Sequence, residues 1–171
     1  RPALAAAIGG ALCLVLITST PVGVPILCAA LAAFMAYFFR DPSRAVPTEP
    51  GIVVSPADGK VLVVEHVDAS DPRSATQVSI FLSPLDVHIN RAPIGGTIES
   101  VTYKPGEFRV ASRKIASEVN EQNVIEIRGA DMAIVARQIA GLVARRIVCW
   151  KKAGDRVATG ERIGLMKFSS R

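Results

Sequence analysis

Charge is missing from the first part of this chain: between Arg1 and Arg40 there is no Asp, Glu, Lys or Arg. A stretch that long and that apolar excludes an ordinary solvated N-terminal segment and reads as membrane-associated. Aromatic residues are scarce, at 5%, and the Lys and Arg residues are scattered without aromatic interleaving, which argues against a nucleic-acid surface. A net charge of +5 suits an anionic membrane surface better. Cysteine is scarce too. Cys13 and Cys28 fall in the apolar segment and Cys149 in a strand-like run, with no CxxC and no neighbouring histidine. Neither a disulfide framework nor a metal site is indicated.

As one helix, residues 2–39 would extend about 57 Å, well beyond a hydrocarbon core of roughly 30 Å. Pro21-Val22-Gly23-Val24-Pro25 is the evident breaker, because proline removes a backbone donor and clashes with the preceding turn. The expectation is a two-helix membrane hairpin over residues 1–39, with helices near 3–19 and 25–39. Arg1, Arg40 and Arg44 flank its ends, which by the positive-inside bias places the rest of the chain on the cytoplasmic face of the cell membrane.

A proline-rich linker, residues 40–51, leads into a different composition. From Ile52 to Arg171, short β-rich runs alternate with glycine and no long amphipathic helix interrupts them: Lys60–Val67, Gln77–Leu82, Gly96–Tyr103, Asn123–Arg128, Met132–Ile139, Leu142–Trp150 and Arg162–Phe168. This spacing predicts a mainly β domain, barrel- or sandwich-like. Two segments place a glycine turn after a strand, one with Lys104-Pro105-Gly106-Glu107 and one with Lys152-Ala153-Gly154-Asp155. The second resembles the hammerhead-like hairpin turn of biotinyl and lipoyl carrier domains, a likeness of fold more than of activity.

Three places concentrate chemistry. Val54-Ser55-Pro56-Ala57-Asp58-Gly59-Lys60 presents a carboxylate in a tight turn, a common device in β proteins. Phe81 to Pro93 runs from an apolar strand into what reads as a loop, with Asp86, His88, Asn90 and Arg91 in close succession; such polar density suggests a site. The other histidine, His66, lies inside an alternating strand, so His88 is the better candidate base. Finally, Phe168-Ser169-Ser170-Arg171 places a serine pair after a hydrophobic strand. Asp58, His88 and Ser170 together offer a carboxylate, an imidazole and a hydroxyl, the elements of an activated serine.

These motifs, in this order over residues 40–171, resemble the phosphatidylserine decarboxylases in their short bacterial and archaeal form. Tyr103 to Phe108, Asn120 to Asn123 and Ala144 to Val148 are similar to further stretches of that family. The resemblance implies a self-cleaving precursor. Ser170, activated by His88 and oriented by Asp58, would attack the carbonyl of Ser169, and β-elimination and hydrolysis would leave a pyruvoyl cofactor at position 170. The ketone would condense with the amine of the serine headgroup and act as electron sink as CO2 leaves, and His88 would reprotonate the carbon. Two positions depart from the family: Ser169 stands where glycine is usual, and Arg91 where longer members carry a second histidine. The resemblance also implies that a small subunit continues beyond Arg171, so that the sequence is a large-subunit part.

The implied substrate is a membrane phospholipid, with Asn90, Arg91, Arg145 and Arg146 as headgroup or phosphate contacts beside Lys151 and Lys152. Ester and ether lipids are not separated by these residues, and a homodimer stays open. Two other readings compete: a carrier domain bearing biotin on Lys167, and a noncatalytic membrane-tethered β adaptor, for which replacing His88 or Ser170 alters stability alone.

Overall fold

The computed structural model describes residues 22–49, 51–68, 74–113, 115–142 and 146–166. The chain divides into two compact units, Arg1–Arg40 and Asp41–Arg171. In the first, a helix runs from Gly23 to Phe38, so the Pro-Gly breaker does set a helix start, two residues before the expected one. Pro25 sits in its first turn, where its missing donor costs least. Val24, Ile26, Leu31, Phe34, Met35 and Tyr37 are all exposed, giving an apolar surface with no polar face. Past the helix end, the Arg40 guanidinium lies 3.8 Å from the Tyr37 ring centroid and donates to the Tyr37 carbonyl at 3.0 Å, a favourable place for a cation. The 16 residues extend about 24 Å. Among the described residues no helix is long and apolar enough to cross a membrane; the first arm of the expected hairpin lies outside them.

The second unit is mainly β, as its spacing of short runs predicts. Its strands are β1 (Lys60–His66), β2 (Thr76–Phe81), β3 (Ile89–Arg91), β4 (Gly96–Lys104), β5 (Gln122–Arg128), β6 (Ala133–Ile139), β7 (Ile147–Cys149), β8 (Arg156–Val157) and β9 (Arg162–Met166). One helical turn, Ala116–Val119, precedes β5. The strands form three sheets with orders β1-β2, β3-β9-β7 and β6-β5-β4-β8, and every pairing between them is antiparallel.

Alternation explains how the sheets bury their faces. On β5, Ile125 and Ile127 are buried while Glu126 and Arg128 point outward. They join Ile98 of β4, Val157 of β8, Ile163 of β9 and Ala92 and Ile94 after β3 in one core. That core therefore draws on the three-stranded and four-stranded sheets together, and it holds β3 and β9 against β4 and β5. Glu99 forms a bulge in the β4–β5 ladder, and its carboxylate accepts both Arg128 Nε and Nη2, at 2.9 and 3.0 Å. Those bonds hold the Glu99 carboxyl below its ordinary range.

Several boundaries differ from those the sequence predicts. In the run Leu142–Trp150, of which residues 143–145 lie outside the described residues, Ile147, Val148 and Cys149 pair with β9 as β7. Of the two expected glycine turns, Gly154 has φ +90° but Gly106 does not adopt a left-handed conformation; instead it packs against the backbone of residues 119–121. Residues 41–49 carry no regular secondary structure, yet they are clamped to the β unit, with Asp41 bonded to Arg91 and Arg162 and Arg44 to Asp58. The linker reading of 40–51 describes its composition and not its attachment.

Ile127→Ala should lower stability by about 2–5 kcal/mol, since a fully buried branched side chain leaves a cavity between sheets. Chemical denaturation should show a lower midpoint at an unchanged slope.

Candidate active site

The segment around His88 begins with a turn in which Ser83 N–H donates to Asp86 Oδ2 at 2.7 Å and Asp86 N–H to the Ser83 carbonyl at 3.0 Å. The chain then enters β3, so what reads in sequence as a polar loop is the start of a strand. The polar residues belong to an alternation: Val87 and Ile89 share one side, His88 and Asn90 the other. The backbone ladder confirms the register. Met166 N–H donates to the His88 carbonyl at 3.0 Å, Ile89 lies opposite Leu165 and Asn90 opposite Gly164. His88 is thereby bonded to the strand that leads toward Phe168-Ser169-Ser170-Arg171, at a residue four positions before Ser170. Four residues extend at most about 14 Å.

The His88 side chain is fully buried. Its Nδ1 lies 2.9 Å from the Asp86 carbonyl oxygen, which can only accept, so in the neutral ring Nδ1 carries the hydrogen and Nε2 the basic lone pair. A backbone carbonyl, two residues away, orients the imidazole.

On the same side as His88, a chain of buried amides crosses between the sheets. Asn123 Nδ2 of β5 donates to Gln138 Oε1 of β6 at 3.0 Å, and Gln138 Nε2 donates to Asn90 Oδ1 of β3 at 2.9 Å. Gly164 makes room for it: a Cβ there would lie 2.7 Å from Gln138 Nε2 and 2.5 Å from the Val148 carbonyl oxygen. Asn120 ties the preceding loop down by donating to the carbonyls of Arg109 and Ala140, at 2.8 and 2.7 Å, and accepting from Arg109 N–H. Sequence reasoning does not single out Asn123 or Gln138 as site residues. Their signal is an amide at an inward-facing strand position, where an apolar residue is the rule.

The other candidate residues take up different places. Asp58 precedes Gly59, whose φ of +140° and close approach to the Phe81 carbonyl require glycine. Its carboxylate pairs with Arg44 and borders a cleft of about 460 Å³ lined also by Val46, Val54, Val87 and Ile89. Val87 and Ile89 flank His88, so the ring between them points away from that cleft. Of the bonds described, the Asp58 carboxylate meets Arg44 and His88 Nδ1 meets the Asp86 carbonyl. Asn90 is buried, with its oxygen committed to Gln138. Arg91 is committed as well, bonding Asp41 at 2.6 Å and the carbonyls of Gly160 and Pro42 at 3.1 and 3.3 Å. Both help to build the strand, and Arg91 also lines the cleft. Arg146 is exposed. Lys151 pairs with Glu161 at 2.5 Å, which raises the lysine and, with the Ala158 N–H, lowers the glutamate relative to their ordinary values. Arg145, Lys167, Ser169 and Ser170 lie outside the described residues.

The family model for phosphatidylserine decarboxylase matches residues 31–171, a span that holds all of these groups. Phosphatidylserine decarboxylase proenzymes of Solibacter usitatus, Cereibacter sphaeroides and Desulfotalea psychrophila are 52%, 50% and 44% identical over 141, 147 and 142 residues. These matches cover 82%, 82% and 81% of this chain and 66%, 63% and 66% of the respective relatives, so the chain spans just under two thirds of their length. The chain belongs to the phosphatidylserine decarboxylase family.

Gln138→Leu should cost about 2 kcal/mol, because it leaves Asn90 Oδ1 and Asn123 Nδ2 without their buried partners. Thermal melting should show the loss, and Gln138→Glu should not repair it, since the Asn90 oxygen would then face an acceptor.

Proposed function

We propose that this chain is the large-subunit part of a self-cleaving precursor whose mature enzyme decarboxylates phosphatidylserine to phosphatidylethanolamine, with a pyruvoyl group derived from Ser170. Family membership supports the reaction class. The observation that carries the reading for this chain is the hydrogen bond from Met166 N–H to the His88 carbonyl, which ties the strand running toward Ser170 to a buried imidazole with a basic Nε2.

In the maturation step His88 Nε2 takes the hydroxyl proton of Ser170, and Oγ adds to the carbonyl carbon of Ser169. The amide C–N bond breaks as the ester C–O bond forms, and the amine of residue 170 takes up a proton. Loss of the Cα hydrogen of residue 170 then expels the Ser169 carboxylate. The dehydroalanine left at position 170 adds water and loses ammonia, which yields the ketone. A serine at 169 restricts the backbone where glycine would let the carbonyl approach, so cleavage is slower with Ser169 than with glycine.

The donor set of the site suits a pyruvoyl group at position 170, because the neutral His88 offers a proton acceptor before cleavage and, once charged, a proton donor during turnover. When present, the ketone supplies an electron sink for the bond to CO2. Among the chain's own residues, His88 moves the proton and the Asn90–Gln138–Asn123 amides hold its strand. Asp58 would assist only after release from Arg44 and a rearrangement that brings it to the face of β3 carrying His88. Arg145 and Arg146 would meet the lipid phosphate. The apolar surface of Gly23–Phe38 and the uncharged stretch before it support attachment, as a helical hairpin, at the cytoplasmic face of the membrane.

Intact mass of the full gene product under denaturing conditions tests the proposal, with Ser169 and with Ser169→Gly. The expected result is two fragments, the smaller lighter than its serine-started form by one ammonia and reactive toward hydroxylamine, appearing faster in the glycine version. His88→Ala should stop the cut. If neither version is ever cut and no carbonyl forms, the decarboxylase reading is wrong.

A further inference from the structure

Arg91 and Arg162 are directly opposite one another in the β3–β9 ladder. That pairing exists because the register shifts between Asn90 and Arg91: Asn90 faces Gly164, Arg91 faces Arg162, and Ile163 is the extra residue, its side chain sunk in the core. Like charges directly opposite across an antiparallel pair repel. Here one carboxylate meets both. Asp41 Oδ1 lies 2.6 Å from Arg91 Nη2 and Asp41 Oδ2 lies 2.5 Å from Arg162 Nε. The other acids of the neighbourhood are engaged elsewhere, Glu161 with Lys151 and Asp58 with Arg44.

We propose that Asp41 is a positioning residue for self-cleavage, holding closed the short ladder in which β9 meets His88. Resting on the function proposed above, this adds a residue that touches neither the serine nor the imidazole. Without it the two facing cations repel and that end of the ladder, in which β3 has three residues, opens toward the Met166 bond to the His88 carbonyl. By joining both guanidinium groups, Asp41 offsets one of the two charges and bridges the pair across the ladder.

The test uses the full gene product with Ser169→Gly and compares Asp41→Asn, Asp41→Glu and Asp41→Asn with Arg162→Gln. Two readouts are taken: the rate of the cut by intact mass, and deuterium exchange of the Met166 amide in the same variants with Ser170→Ala, which does not depend on cleavage. Asp41→Asn should slow the cut and speed Met166 exchange by about tenfold each, the scale of losing charge-assisted bonds. Asp41→Glu should stay near the parent, and removing the Arg162 charge should restore most of both values. Unchanged exchange in Asp41→Asn, or a double variant as impaired as the single one, overturns the inference. A parent that is never cut while exchange responds as expected leaves the clamp on the ladder standing and removes its catalytic meaning.

Discussion

The pairing of β3 with β9 is the constraint on which the rest of this molecule depends. Among the described residues, three of β3 and five of β9 join the buried imidazole to the segment leading toward Ser170. Short strands contribute few ladder bonds, so other forces must fix their register. Ile163 anchors β9 in the core from one side, and β7 pairs with its other edge. In the proposed maturation step a proton acceptor is useful only if the group it serves arrives at a set distance, and the backbone bond between Met166 and His88 would set where that approach begins.

Burial of His88 and of three amides would be costly without partners. The structure meets that cost with directional bonds: the Asp86 carbonyl for His88, and Gln138 between Asn90 and Asn123. Such a network tolerates little rearrangement, because each group left alone loses a full hydrogen bond in a low-dielectric interior. The same logic extends to charge. Arg91 is largely buried and holds two carbonyls and a carboxylate, which draws the residues after the helix into the β unit. In this way a segment without secondary structure becomes part of the scaffold around the site.

Much of the β architecture is legible in the chain, because Val, Ile and Thr alternate with polar residues along β2, β4, β5 and β6 and glycine or proline punctuates them. What escapes is β3. Its inward face carries Asn90, with His88 immediately before it, instead of apolar residues, so the usual hydrophobic alternation is replaced by a polar one and resembles a loop. For the same reason Arg91 reads as a ligand contact: only the fold shows Asp41, fifty positions earlier, lying against it. His88 emerges from composition, being one of two histidines and the one outside an alternating strand. The place of Asp58 is not legible, since its neighbour Arg44 is far in sequence and the side of β3 that each residue faces is decided by register alone.

With only two histidines in the chain, imidazole ¹⁵N spectra of the uncleaved Ser170→Ala precursor are the most direct test of the proton acceptor assigned to the site. Neutral His88 should carry its hydrogen on Nδ1, bonded to the Asp86 carbonyl, with a pyridine-type Nε2. A neutral ring protonated at Nε2 would contradict the assignment, because the nitrogen named as the base would then have no lone pair to accept the serine proton.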